Sequence, residues 1–330
     1  MDTKVRQKSN RNQTIEIHEA EKKELLNKCI IINSNQNVES VLNKIINQDL
    51  FYCIDFLPDK SIDLAVIDPP YNLNKDFNTI KFKVSDDESF YEYTKKWVKA
   101  IKPKLKKTAS IYICCDWKST SSIYRALAEE FIVQNRITWQ REKGRGAKSN
   151  WKNCIEDIWF CTVSNDYYFD VDSVKQKRKV IAPYRVDGVA KDWEEEEGGE
   201  KYRLTCPSNF WDDISIPFWS MPENTTHPTQ KPEKLISKLI LASSKTNDVV
   251  LDCFLGSGTT AVVAKKLKRN FVGIEIDPYY AAISQKRLTM ADNNNQIQGY
   301  ENGVFLERNT AIKSNKSTKN IINYAQPILI

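Results

Sequence analysis

The chain is 330 residues long, enough for one large domain or two ordinary ones, with a sizeable apolar core and no need of disulfide staples. Lysine and arginine outnumber aspartate and glutamate by 49 to 43, a net charge of +6 with a pI near 8.7, a mild surplus that suits a polyanionic partner without requiring one. The eight cysteines form no C-x-x-C pair and only two histidines are present, which argues against a disulfide framework or a metal site. No signal-peptide pattern and no apolar run of membrane length appear, so a cytoplasmic protein without a membrane partner is expected.

Residues 1–13 are polar, basic and unpatterned, and no structure is expected for them. Apolar spacing among many Glu and Lys predicts a short helix over 14–27, and Val38, Val41, Leu42, Ile45 and Ile46 share one face of a second helix over 38–46. The run from Asp63 to Ile67 has the look of a buried strand, stopped by Pro69 and Pro70, and residues 72–78 form a polar loop that hangs over the strand's end. A helix over 90–107 carries Tyr93, Trp97, Ile101 and Leu105 on one stripe. A strand over 110–115, a helix over 119–130 and strands over 132–139 and 156–162 come next. Between the last two strands lies a basic loop with Arg141, Lys143, Arg145, Lys148 and Lys152 beside Trp151. It is either a solvated surface loop or an arm that neutralises phosphates.

From 167 to 223 the periodicity breaks down. Basic residues, among them Arg178, Lys179 and Arg185, alternate with Tyr and Trp, a pattern suited to phosphates and bases, although structural aromatics in an irregular insert are the plainer alternative. Regular α/β patterning returns at His227, with a helix over 233–244, a strand over 248–254, a helix over 261–267, a strand over 270–276 and a helix from Asp277 to Met290. Residues 293–330 are Asn-rich and carry no assigned role.

Two strand tips hold the chemistry. At the first, Asp68-Pro69-Pro70-Tyr71 offers a carboxylate, a carbonyl released from sheet pairing and an aromatic face, a set suited to a planar ring with an exocyclic amine. By itself it is equally a strand that ends in a rigid turn. At the second, Asp252 and Phe254 lead into Gly256-Ser257-Gly258-Thr259. The turn lacks the Lys-Ser/Thr ending of a P-loop and the third glycine of a pyrophosphate fingerprint, which weighs against a nicotinamide oxidoreductase. Glu275 ends the next strand, where an acid accepts ribose hydroxyls in dinucleotide folds. A ribose acid without a diphosphate grip points to S-adenosylmethionine, with Asp252 or Lys231 at its amino-acid end.

The order Asp68-Pro69-Pro70-Tyr71, a variable insert, His227-Pro228-Thr229-Gln230-Lys231-Pro232, then Asp252 through Thr260 resembles the beta arrangement of the DNA amino-methyltransferases that act on adenine N6 or cytosine N4. The likeness spans about residues 46–290. It implies an α/β, Rossmann-like, seven-stranded, mostly parallel sheet with helices on both faces. The expected division is an N-terminal extension (1–45), a catalytic half (46–139), a loop-rich target-recognition insert that includes the 156–162 strand (140–226), a cofactor half (227–292) and a tail (293–330). It implies S-adenosylmethionine held by Phe254, Gly256, Ser257, Gly258, Thr259 and Glu275, with Asp49 near the adenine and Thr229 and Lys231 closing the methionine end. It further implies double-stranded DNA as substrate, a flipped base stacked on Tyr71 with its amine on Asp68 and the Pro69 carbonyl, and a cognate restriction endonuclease or a homodimer as possible assemblies. Asp at position 68 leans toward adenine. Cytosine N4, an RNA or protein-glutamine substrate, and an inactive DNA-binding module are the alternatives.

Overall fold

The computed structural model describes residues 9, 11–77, 80–141, 149–180, 184–195, 199 and 201–306. Its centre is an eight-stranded sheet. In chain order the strands are β1 (Lys44–Ile46), β2 (Ile62–Ile67), β3 (Leu105–Cys115), β4 (Ile132–Gln140), β5 (Ile155–Thr162), β6 (Phe210–Trp211), β7 (Val249–Asp252) and β8 (Asn270–Ile274). Across the sheet they run β1-β8-β7-β2-β3-β5-β4-β6. All neighbours are parallel except at β5, which is antiparallel to both β3 and β4. The expected seven strands are present, and the two-residue β6 from the insert adds an eighth beside β4.

The strands read as apolar runs because both faces are covered. Ile62 and Leu64–Ile67 of β2 are buried, as are Ala109–Cys115 of β3. One layer of core joins Trp97, Val98 and Ile101 of α4 (Asp87–Ile101) and Ile123 and Leu127 of α5 (Thr120–Glu130) to β2 and β3. The opposite layer joins Leu235, Leu239 and Ile240 of α6 (Glu233–Ser243) and Val262 and Val263 of α7 (Thr259–Lys266) to the other face. Further out on that side lies α8 (Pro278–Asn293).

Four local expectations are corrected. The helix expected over 38–46 is a single turn, Val38–Val41, followed by β1 on the sheet edge. Asn43 adopts φ +59° and closes its backbone and side chain onto Phe271 and Asn270 of β8, so the chain leaves the helix before Ile45 and Ile46 become buried strand. The helix expected to reach 107 ends at Ile101, because Pro103 has no N–H to continue it and the chain turns into β3. The first helix covers only Glu19–Leu26; Ile15 instead bridges Thr225 in extended form, and Ile17 and Leu25 pack on Tyr280 and Ile283 of α8. Lastly, the segment after 167 is not merely loops. Strands 176–179, 194–195 and 201–205 join 300–301 and 304–306 in a second, five-stranded sheet. The end of the expected tail thus completes the insert, and Phe305 is fully buried there.

The register decides which residues meet at the site. Ala65 of β2 lies level with Leu251 of β7 and Ile111 of β3. Hence Asp68, Asp252 and Glu275 emerge at one sheet edge, the carboxyl ends of parallel strands, where open α/β sheets bind ligands. Because β5 runs the other way, with Cys115 level with Asp157, this strand brings its first residues, not its last, to the same edge.

Candidate active site

A cavity of about 340 Å³ opens along this edge, lined at one end by Asp49, Phe254, Gly256 and Glu275 and at the other by Asp68, Pro69, Pro70 and Tyr71. Thr229, Lys231, Asp252, Ser257 and Thr259 also line it. The two strand tips picked out from the sequence therefore share one space.

At the glycine turn the backbone is shaped for close approach. Gly256 has φ +54°, and a Cβ there would stand 3.0 Å from His227 Nε2. Gly258 has φ +82°, and a Cβ would fall 2.7 Å from Ser284 of α8. Gly258 is not among the cavity-lining residues; its missing side chain serves the packing of α7 on α8, which corrects its expected place in the lining. Thr259 donates its hydroxyl to the Lys231 carbonyl at 3.0 Å, and Arg287 donates to Thr259 Oγ1 and to the Ser257 carbonyl. That joins the glycine turn to the His227–Pro232 segment.

Glu275 is buried, with Oε2 accepting the Gly256 N–H at 2.6 Å and Oε1 accepting the Asp277 N–H at 2.7 Å. Each oxygen keeps a second lone pair. Burial pushes the carboxyl up to about 8. Asp252, also buried, accepts the Phe254 N–H at 3.1 Å, and burial pushes it up to about 7. Asp49 caps the helical turn Leu50–Cys53 through the Phe51 N–H. His227 is held low, at about 4, by burial, and its ring packs edge-on against Tyr280 at 4.5 Å.

The catalytic end is a charged cluster. Tyr71 donates its hydroxyl to Asp68 Oδ1 at 2.7 Å. Lys231 Nζ donates to Asp68 Oδ2 at 2.7 Å and to the Tyr71 oxygen at 3.1 Å. It also lies 3.3 Å from Glu156 Oε2. Arg141 closes on the other oxygen of Glu156. Burial pulls the Lys231 pKa down, but the carboxylates of Asp68 and Glu156 outweigh it and the net shift is upward. Burial, then Asp68 and Glu156, pushes the Tyr71 phenol well up. Lys75 faces the same group, its ammonium weakened chiefly by burial.

Two expectations change here. Lys231 does not stand apart to close a methionine end; its ammonium is committed to Asp68, Tyr71 and Glu156. Arg141, expected on DNA, is paired with Glu156. Sequence reasoning missed Glu156 altogether, because a site residue at the start of a strand is foreseen only when that strand is known to be antiparallel. Of the other expected DNA contacts, Trp151, Lys152, Arg178, Lys179 and Arg185 are exposed, whereas Lys143, Arg145 and Lys148 lie outside the described residues. The expected loop over the site is in part a hairpin, Lys75–Phe77 with Ile80–Phe82, closed at its base by Asn72 hydrogen-bonded both ways to Ser85. Among the described residues no His/Cys/Asp/Glu cluster could hold a metal ion, and no helix is long and apolar enough to cross a membrane.

The family model for N6/N4 DNA methylases matches residues 62–286. The chain belongs to this family. Among curated relatives, the type II methyltransferase M1.MboII of Moraxella bovis is 34% identical over 257 residues, covering 72% of this chain and 94% of that protein. The DNA adenine methyltransferase YhdJ of Escherichia coli (strain K12) is 31% identical over 251 residues, covering 76% and 83%. Two solved structures share the fold. The cytosine-N4-specific PvuII DNA methyltransferase has a TM-score of 0.55 at 18% identity, covering 76% of this chain and 92% of that one. A DNA modification methylase of Thermus thermophilus, complexed with S-adenosyl-L-methionine, has a TM-score of 0.52 at 19% identity, covering 81% and 99%. As a member of this family the protein is a DNA amino-methyltransferase.

Proposed function

We propose that the protein methylates the exocyclic N6 of an adenine turned out of double-stranded DNA. The observation that carries this reading is the continuous cavity that runs from Glu275 to Asp68. It has room for a donor at one end and an aminated ring at the other.

The cavity fits S-adenosylmethionine. Glu275 presents a buried carboxylate with spare lone pairs, suited to ribose hydroxyls, and Gly256 leaves a cradle that a side chain would fill. Phe254 and Asp49 would flank the adenosyl group, and Asp252 supplies an anion for the ammonium end. When bound, the cofactor supplies an electrophilic methyl carbon on a sulfonium.

The chain's own residues prepare the acceptor. Tyr71 offers its ring to the base, and Pro69 and Pro70 hold the strand tip rigid. Asp68 and the Pro69 carbonyl accept the two amine hydrogens, which draws the nitrogen lone pair out of conjugation and aims it along the cavity. Asp68 then takes the proton that the methylated nitrogen sheds. No nucleophilic side chain is required. Burial pushes the Cys114 thiol beside Asp68 far above its ordinary value, so it is inert. Exposed Trp151, Lys152, Arg178, Lys179 and Arg185 are suited to the DNA. Asp at position 68 and kinship with an enzyme named for adenine support N6 over N4. Kinship with type II methyltransferases supports a cognate endonuclease as partner.

Expression in a methylation-free host, followed by base-resolved mapping of its genome, tests the reading. N6-methyladenine within one sequence motif is expected. N4-methylcytosine would overturn the choice of base, and an unmodified genome would overturn the activity.

A further inference from the structure

Both oxygens of the Asp68 carboxylate already accept a hydrogen bond, Oδ1 from the Tyr71 hydroxyl and Oδ2 from Lys231, each at 2.7 Å. A target amine that is to be gripped by Asp68 meets two donors in place, one of them a cation. Glu156 stands where both donors can turn. Its Oε2 lies 3.3 Å from Lys231 Nζ and 3.5 Å from the Tyr71 hydroxyl, just beyond their present partners. The side chain of Glu156 is 3% exposed, and its other oxygen is anchored by Arg141. It is a fixed, buried acceptor that needs no rearrangement of its own.

We propose that Glu156 is a positioning residue that draws Lys231 and the Tyr71 hydroxyl off Asp68 as the target amine enters. The inference rests on the reading of Asp68 as the acceptor for that amine. Without Glu156, Lys231 is left with Asp68 as its counter-charge. The carboxylate then stays tied to a buried ammonium, and the amine competes with a full charge in a site poor in water. With Glu156, the ammonium passes from one carboxylate to the other and stays paired throughout. The cluster keeps its charges: Asp68 and Glu156 against Lys231 and Arg141, with Lys75 at its side. The exchange moves hydrogen bonds only, and no covalent bond is made or broken. Arg141 has a place in this device too, since it holds Glu156 in the orientation that leaves Oε2 turned toward Lys231.

The test uses the full-length protein, labelled S-adenosylmethionine and unmethylated genomic DNA, with cofactor affinity measured in parallel. Glu156→Gln is expected to bind cofactor within about twofold of wild type and to lose roughly 10²-fold in kcat. Glu156→Asp, which keeps the charge at shorter reach, should recover part of the loss. Combined with Lys231→Met, Glu156→Gln should add no further loss, because there is no ammonium left to move. Wild-type turnover in Glu156→Gln, or losses that multiply in the double variant, would overturn the proposal. Loss of cofactor binding in Glu156→Gln would do so as well, by making Glu156 a support of the fold. If Asp68→Ala stays active, the underlying reading of Asp68 fails instead, and the two failures are told apart.

Discussion

Lys231 Nζ sits 2.7 Å from Asp68 Oδ2, although the two residues are 163 positions apart in the chain. The pair binds the Asp-Pro-Pro-Tyr tip to the segment that leads into α6. Asp68→Ala leaves the cavity's Glu275 end untouched and removes the only acidic group of the tip. Methyl transfer should fall by at least about 10²–10³-fold while cofactor affinity stays near wild type. Turnover within tenfold of wild type, measured with labelled donor, would remove Asp68 from the chemistry.

Tyr71 separates two contributions. Its ring can stack on a base, and its hydroxyl donates to Asp68. Tyr71→Ala loses both and should be the most severe. Tyr71→Phe keeps the face and loses only the hydrogen bond, so a loss of about tenfold in kcat is expected, in line with one net hydrogen bond. Equal losses in the two variants, compared in kcat and KM, would argue against stacking.

The buried acids give the ligand-free protein a pH signature. Burial raises Glu275 to about 8, Asp252 to about 7 and Glu223 to about 7, all above their unfolded values near 4. The folded state then holds more protons than the unfolded chain, so stability falls as pH rises through these values. His227, lowered to about 4, has the opposite slope only below its ordinary value of 6.5. Lys238, lowered to about 8, has it only above that pH. Between about pH 6.5 and 8 the acids dominate. The Tm should drop across that window, and Glu275→Gln should flatten the drop; a Tm that climbs would contradict the assignment.

Asp213 joins the insert to the core. Its carboxylate pairs with Lys234 at 2.7 Å and Lys238 at 3.2 Å, both on α6 and all three side chains at most 8% exposed. Lys238 also lies over the Trp211 and Phe305 rings. Asp213→Ala removes the counter-charge from a buried ammonium and should cost about 3–5 kcal/mol, read from the denaturant midpoint. A cost under about 1 kcal/mol would put the pair in the weak class of exposed ion pairs.

Arg178, Lys179 and Arg185 are exposed cations on the insert. Replacing all three with Gln should weaken DNA binding at every sequence. It should also flatten the dependence of log K on log salt by about 0.9 for each phosphate that is no longer neutralised. An unchanged slope in a binding titration would assign these residues to solvent.

The residues alone were enough to mark Asp68–Tyr71, the turn at Gly256 and Glu275, and the alternation of strands and helices. In each case the signal is local. Prolines stop a strand, glycines permit a turn, an acid follows a strand tip, and apolar spacing follows the period of its element. Tertiary structure decided the rest. Only the sheet register brings the two tips into one cavity. Only the antiparallel course of β5 carries Glu156 to the catalytic edge, and only the fold places Lys231 on Asp68 and Arg141 on Glu156. Such pairings join distant parts of the chain, and their partners are chosen by packing and charge in three dimensions, which no local pattern records. The same reason explains why Lys44–Ile46 became an edge strand against β8 and why residues 300–306 closed the insert's sheet. Both depend on neighbours that the sequence supplies from far along the chain.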